Sequence, residues 1–178
     1  MIFAVLATGP SLTQRVVDAV QGRAKVISVS DAYRLAPWAD ALVSTDAAWW
    51  KANPDAMDFP GPKWCAAPDF RKVEGVERFP GAESGSNSGL LACRVAVSMG
   101  AKKVLLLGFD MKGSHFFGSH PAPLKNTTPA RFEVFQRQFA HYRPRGVEII
   151  NCTPNSALRA YPMGDLHASL AEPALHGA

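Results

Sequence analysis

Five short apolar runs punctuate the chain: IFAVLA at 2–7, KVISVS at 25–30, ALVST at 41–45, KVLLLG at 103–108 and VEIIN at 147–151. Runs that stay apolar at successive positions read as strands covered on both faces, and such strands belong to parallel sheets whose crossovers are helices. Segments of helical period lie between several of these runs. The sequence therefore predicts a Rossmann-like three-layer α/β/α fold with a mostly parallel, doubly wound sheet. Its 178 residues suit one domain of this kind. We set that domain at 1–162 and read 163–178 as a tail open to disorder.

The intervening segments carry their own punctuation. Ser11 is placed to cap a helix bearing Leu12, Val16, Val17 and Val20 on one stripe, with Gly22 at its left-handed C-terminal cap. DAYRLAPWA at 31–39 reads as a short helix stopped by Pro37. SGLLACRVAVSMG at 88–100 is an almost wholly apolar, buried helix ending at Gly100. Phe132, Phe135, Phe139 and Tyr142 recur at helical steps and mark one more. The Pro-rich stretch 51–83 lacks helical period. It reads as an irregular excursion over one sheet edge, holding at most one short strand, WCAA at 64–67.

Composition removes several classes. With 47% hydrophobic and 19% charged residues the chain is a packed globule, and a net charge of +4 is too small to announce nucleic-acid binding. Between Met111 and Arg145, however, Lys112, Lys125, Arg131, Arg137, Arg143 and Arg145 face only Glu133, a local field that would draw an anionic ligand. Cys65, Cys93 and Cys152 show neither metal-ligand spacing nor an even count, so they read as reduced and buried. No HxxxH pattern or helical carboxylate set predicts a metal. The first apolar run lacks a basic flank, and no run spans a bilayer, which predicts a cytoplasmic protein without membrane partners.

In open parallel sheets ligands bind beyond the carboxyl ends of the strands, where strand order reverses. Five loops qualify: Thr8 to Ser11, Ser30 to Tyr33, Thr45 to Trp50, Glu83 to Gly89 and Gly108 to His120. TGPS puts Gly9, Pro10 and Ser11 ahead of a helix, so its amides would face a ligand; it lacks GxGxxG spacing and equally reads as a plain turn. GSNSG at 85–89 is a second candidate anion nest, or a linker with a cap. Asp31 stands where a carboxylate grips a ribose, or caps a helix. Asp46, just before Trp49 and Trp50, could orient a flat or sugar-like substrate stacked on Trp49, unless the tryptophans are core. Asp110 is followed by His115 and His120 in a loop rich in glycine and serine, a setting for general acid–base work.

LATGPSL, SNSGLLACRVAVSMGAKKVLLLGFDM, SHFFG and TPNSAL resemble, in order, the motif blocks of bacterial CMP-sialic acid-dependent sialyltransferases of the Campylobacter type. They also resemble the MptE-like family, which includes archaeal 6-hydroxymethylpterin diphosphokinase and flagellin-glycosylation proteins. Together the blocks span about a third of the chain. The resemblance implies a nucleotide site formed by Gly9, Pro10, Ser11, Ser30, Asp31, Asn87, Ser88, Gly89 and Asp110. It adds Asn155 and Ser156 of the TPNS block, and it makes His120 the general base, with His115 matching an earlier histidine. The chain departs from the sialyltransferase pattern at Thr8 and Ser30, where asparagines stand. It also lacks the phosphate-binding tyrosines and has a much shorter segment between GFDM and the histidines. Short chains of this kind also resemble proteins encoded in tailed phages and prophages.

Three functions follow as expectations. The first is a metal-independent glycosyltransferase using a nucleotide-activated sugar, CMP-type favoured, with no tightly bound cofactor. The second is an MptE-like diphosphokinase binding ATP and Mg²⁺. The third is a non-enzymatic phage-associated protein that keeps the fold. The expected partner is a small-molecule nucleotide, with no specific nucleic acid; the acceptor is left open, and the reading is compatible with a homo-oligomer.

Overall fold

The computed structural model describes residues 1–66, 73–82 and 87–171. Seven strands form one sheet: β1 (Ile2–Leu6), β2 (Lys25–Val29), β3 (Ala41–Val43), β4 (Lys63–Cys65), β5 (Glu77–Arg78), β6 (Lys103–Leu107) and β7 (Glu148–Asn151). Their order is β5-β4-β3-β2-β1-β6-β7, and every pair is parallel. The chain steps outward from β1 to β5, then returns to lay β6 on the other side of β1. The Rossmann-like expectation is met, with the order reversing between β1 and β6.

Alternation along the strands builds two cores. Ala4 and Leu6 of β1, Leu42 of β3 and Leu105 and Leu107 of β6 face one layer; Phe3, Val5, Val43, Val104 and Leu106 face the other. The first layer holds α1 (Gln14–Val20), α2 (Ala47–Ala52) and α5 (Leu166–Ala171) through Val17, Val20, Trp49, Trp50 and Leu170. The second holds α3 (Ser88–Ser98) and α4 (Pro129–His141) through Leu91, Ala92, Val95, Ala96 and Phe139. The three-residue and four-residue spacing of the α3 set, with small Ala92 and Ala96, seats that helix across β1, β2 and β3. No helix among the described residues is long and apolar enough to cross a membrane. Cys65, Cys93 and Cys152 are free thiols and buried, as read.

Several boundaries differ from the sequence reading. The first helix is capped by Thr13, which accepts from the Val16 amide, because Ser11 is drawn away to Asp110. The segment 31–39 yields only a 3₁₀ turn over Ser30–Arg34. The stretch 51–83 holds more than one strand: a 3₁₀ turn at Pro54–Asp58 is followed by β4 and β5, which both extend the sheet edge. Ala67 of the predicted fourth strand lies outside the described residues. The 163–178 segment is not simply a tail. Helix α5 docks with Leu170 buried, and the carbonyl of Ser169 accepts from the buried Lys103 ammonium at 3.5 Å. Residues 172–178 lie outside the described ones.

Candidate functional site

A cleft of about 700 Å³ opens at the carboxyl ends of the strands, over the β1–β6 reversal. Its floor and walls come from the loop after each of β1, β2, β3 and β6, the start of α3 and the first turns of α4. Of the candidate residues, Gly9, Ser30, Asp46, Trp49, Asn87, Ser88, Gly89, His115 and His120 line it. Gly9 and Ser88, which follow different strands, thus share one pocket. Gly85 and Ser86 of the GSNSG segment lie outside the described residues.

The two glycine turns differ in what they offer. Gly9 donates its amide to Gly108, Ser11 to the Asp110 carboxylate, and Leu12 to Gly9. The expected ring of open amides in TGPS is therefore corrected: the turn uses them for its own closure, and Pro10 is exposed and does not line the cleft. A side chain at Gly9 would collide with the Asp110 carboxylate and the Gly108 carbonyl. Asp110 accordingly acts as a buried strut, accepting from the Ser11 hydroxyl at 2.8 Å, and does not line the cleft. At α3 the Asn87 side chain accepts from the Leu90 amide at 2.7 Å. Among the described residues nothing accepts from the Ser88 and Gly89 amides, which open the helix at the cleft wall. Gly89 is required by Phe109, whose ring would stand 2.7 Å from an added Cβ.

Hydroxyls line the β2–β3 end. Ser30 donates to Ser44 at 3.2 Å, while Ser88 accepts from the Thr45 amide at 2.9 Å and shares a hydrogen with the Thr45 hydroxyl at 3.0 Å. Ser30 takes a left-handed φ of 46° and Met111, across the cleft, one of 54°. Backbone of this kind costs of order 1 kcal/mol or more outside glycine and gathers at binding sites. Asp46 is exposed on the rim and caps α2 through the Ala48 amide.

The histidines meet. His115 and His120 rings lie 4.6 Å apart, Phe117 stacks on His115 at 4.9 Å, and the Thr8 hydroxyl bonds His115 Nδ1 at 2.8 Å. Burial, first, and the neighbouring His120, second, hold the His115 imidazole below its ordinary pKa, so it stays neutral near pH 7. His120 Nδ1 stands 4.0 Å from Asp31 Oδ2. That same oxygen accepts the Trp49 indole N–H at 2.8 Å, while Arg34 reaches Oδ1 at 3.5 Å. Asp31 is thus buried behind His120, facing a histidine, an indole and a guanidinium. The loop is less free than its glycines imply. The amide of His120 donates to Asn126 Oδ1 at 2.7 Å, and that of Phe116 to the Thr8 carbonyl.

Two expectations are corrected by packing. Trp49 is 3% exposed and packed in T-shaped contact with Tyr33 and Trp50, so although it borders the cleft it has almost no free surface on which a ligand could stack. The cause is local: Asp46 starts α2 so that Trp49 and Trp50 both turn onto the sheet. Asn155 is exposed in a left-handed turn with φ 52°. Ser156 is buried, donating to the Phe109 carbonyl and accepting from the Leu158 amide. The TPNS block therefore clamps the end of β6 and lies outside the cleft wall.

The sequence reading missed Ser44, Leu124, Phe132 and Phe135 as lining residues. The helical aromatic stripe already held the last two. Of the lining residues that carry full charge, Lys112, Lys125 and Arg131 are basic and Asp46 acidic, which localises part of the basic field seen in 111–145. Among the described residues no group of three or more His, Cys, Asp or Glu side chains could hold a metal ion. The three strand-end aspartates are dispersed between a strut, a helix cap and the histidine. Comparison with family models, with curated proteins and with solved structures finds no match for this chain.

Proposed function

We propose that the cleft binds a nucleotide-activated sugar and transfers its glycosyl group to an acceptor hydroxyl without a metal. The observation that carries this reading is His120, set in the cleft with a buried carboxylate behind it, in the same pocket as the open N-terminus of α3. Asp31 Oδ2, 4.0 Å from Nδ1, stabilises the positive charge that forms on the ring as it takes up a proton. The donor phosphate lies at the Ser88 and Gly89 amides, where the helix end stabilises the leaving anion. As the bond from the anomeric carbon to the phosphate oxygen breaks, the acceptor oxygen bonds to that carbon. The acceptor proton passes to His120, and the nucleotide departs with the bonding pair. The ordered resemblance to the CMP-dependent sialyltransferases supports a CMP-type donor. A magnesium-dependent diphosphokinase is less well supplied, since Asp46 alone of the strand-end aspartates reaches the cleft lining.

A thermal-shift screen of CMP, UDP, GDP and ATP, each with and without Mg²⁺, tests the reading. A ligand at a hundred times its Kd adds about 2.7 kcal/mol of stability. Stabilisation by CMP without the metal is the expected result. Stabilisation by ATP only with Mg²⁺ would replace transfer of a sugar by transfer of a diphosphate, and no response to any nucleotide would leave a non-enzymatic protein.

A further inference from the structure

Trp49 and Trp50 are neighbours in α2, both buried, and each indole has one hydrogen to donate. Their acceptors differ. Trp50 Nε1 donates to the Ser44 carbonyl at 2.9 Å, a neutral backbone group, whereas Trp49 Nε1 donates at 2.8 Å to Asp31 Oδ2, the oxygen that faces His120. Among the described residues one other hydrogen-bond donor reaches that carboxylate, Arg34 Nε, at 3.5 Å from Oδ1. Arg34 is exposed and its guanidinium is held elsewhere, by Asp55 and by Asn53 Oδ1 at 2.9 Å, so distance and screening by water leave it the weaker tie. The position of Oδ2 is therefore set by the indole.

The indole is itself held. Trp49 meets Tyr33 and Trp50 in T-shaped contact, and its carbonyl accepts from Asn53 Nδ2 at 2.8 Å. Asn53 Oδ1 takes Arg34 Nη2, and Arg34 Nε returns to Asp31, so Asp31, Trp49, Asn53 and Arg34 close a circuit of polar contacts. Polar groups in an apolar layer are costly unless each is matched, and a phenyl ring at position 49 would fill nearly the same space without needing a partner. What the indole adds is a donor for a carboxylate beside an imidazole. We infer that Trp49 is a positioning residue, whose indole N–H, braced through Asn53, holds Asp31 Oδ2 in place behind His120. The inference rests on the reading of His120 as the base. It gives a residue that cannot serve as a stacking platform a part in the reaction through its ring nitrogen.

Proton NMR of the indole N–H resonances of the full chain tests this without a substrate. The charged and titratable groups around Oδ2 are His120, Arg34 with its partner Asp55, and His115 beyond the His120 ring. The Trp49 resonance should move as His120 takes up its proton, and the movement should vanish in His120→Gln and persist in His115→Gln. The Trp50 resonance, on a carbonyl, should stay still. A Trp49 resonance that ignores His120, or follows His115 instead, overturns the inference. Release of CMP from CMP-sialic acid gives the second arm. Trp49→Phe should lower kcat about tenfold while the Kd for CMP changes less than about twofold, and in the Asp31→Asn background the same change should cost no further turnover. Trp50→Phe, an equal loss of volume in the same helix, should leave kcat unchanged. Equal losses in the two tryptophan variants, or an additive loss in the Asp31→Asn background, would make Trp49 a packing residue and overturn the inference. A wild type that releases no CMP would remove the transferase reading, while coupled Trp49 and His120 signals would still show the indole holding Oδ2 beside the histidine.

Discussion

Asp31 shows how one side chain's role is decided by what reaches it. A carboxylate buried among an indole N–H, a guanidinium and an imidazole is held ready to face a positive His120. Under the proposed reaction, His120→Ala should lower turnover by about 10² to 10⁴-fold while nucleotide affinity changes little, since proton transfer counts only in the transition state. Asp31→Asn keeps the shape and the bond to Trp49 but removes the charge, so kcat should drop by about ten- to a hundredfold, again at constant nucleotide Kd. Steady-state kinetics with calorimetry reads both, and matched losses of affinity would make the pair ligands of the phosphate instead.

His115 gives a prediction in pH. Its folded pKa lies below its ordinary value of 6.5, so the folded state resists the proton that the unfolded chain accepts. Its contribution to stability is therefore intact above pH 6.5 and is lost as pH falls through the folded value. Denaturant midpoints at pH 7.5 and at pH 5.5 should differ more for the wild type than for His115→Gln. Parallel declines would place the sensitive group elsewhere.

Among the elements, α3 carries the site. Asn87 caps it and also holds α4 through Gln138, so Asn87→Ala removes a cap and a tie between helices together. A loss of about 1 to 2 kcal/mol in chemical denaturation is expected, with weaker anion binding at Ser88 and Gly89. Much of this level was legible in sequence. The apolar runs became β1, β2, β3, β6 and β7 because burial on both faces leaves no other pattern for a strand. The run at 88–100 became α3 for the same reason. The rest needed tertiary partners: Ser11 looks like a helix cap until Asp110, ninety-nine residues later in sequence, competes for it. Trp49 looks like a platform until the sheet supplies a surface to bury it. Strands β4 and β5 are three and two residues long, too short to show a period, and exist because β3 offers them an open edge.

For the molecule as a whole, the sheet is uneven. Strands β1, β2 and β6 are flanked on both sides and buried on both faces, whereas β5 is a two-residue edge strand with both residues exposed. Native-state hydrogen exchange should show the slowest amides in β1 and β6, with openings close to global unfolding, and much faster exchange in β4 and β5. Uniform protection across the sheet would contradict this ordering.

The return of the chain to β1 also has a consequence in time. One wall of the cleft is encoded before residue 50 and the other only between 87 and 135, with β6 closing the floor between them. A chain emerging from the ribosome can pair β1 with β2 and β3 early, yet it carries half a cleft with no opposite wall until α4 has been made. The full lining of the cleft therefore exists only once α4 has been made and has packed against Phe109 through Phe139.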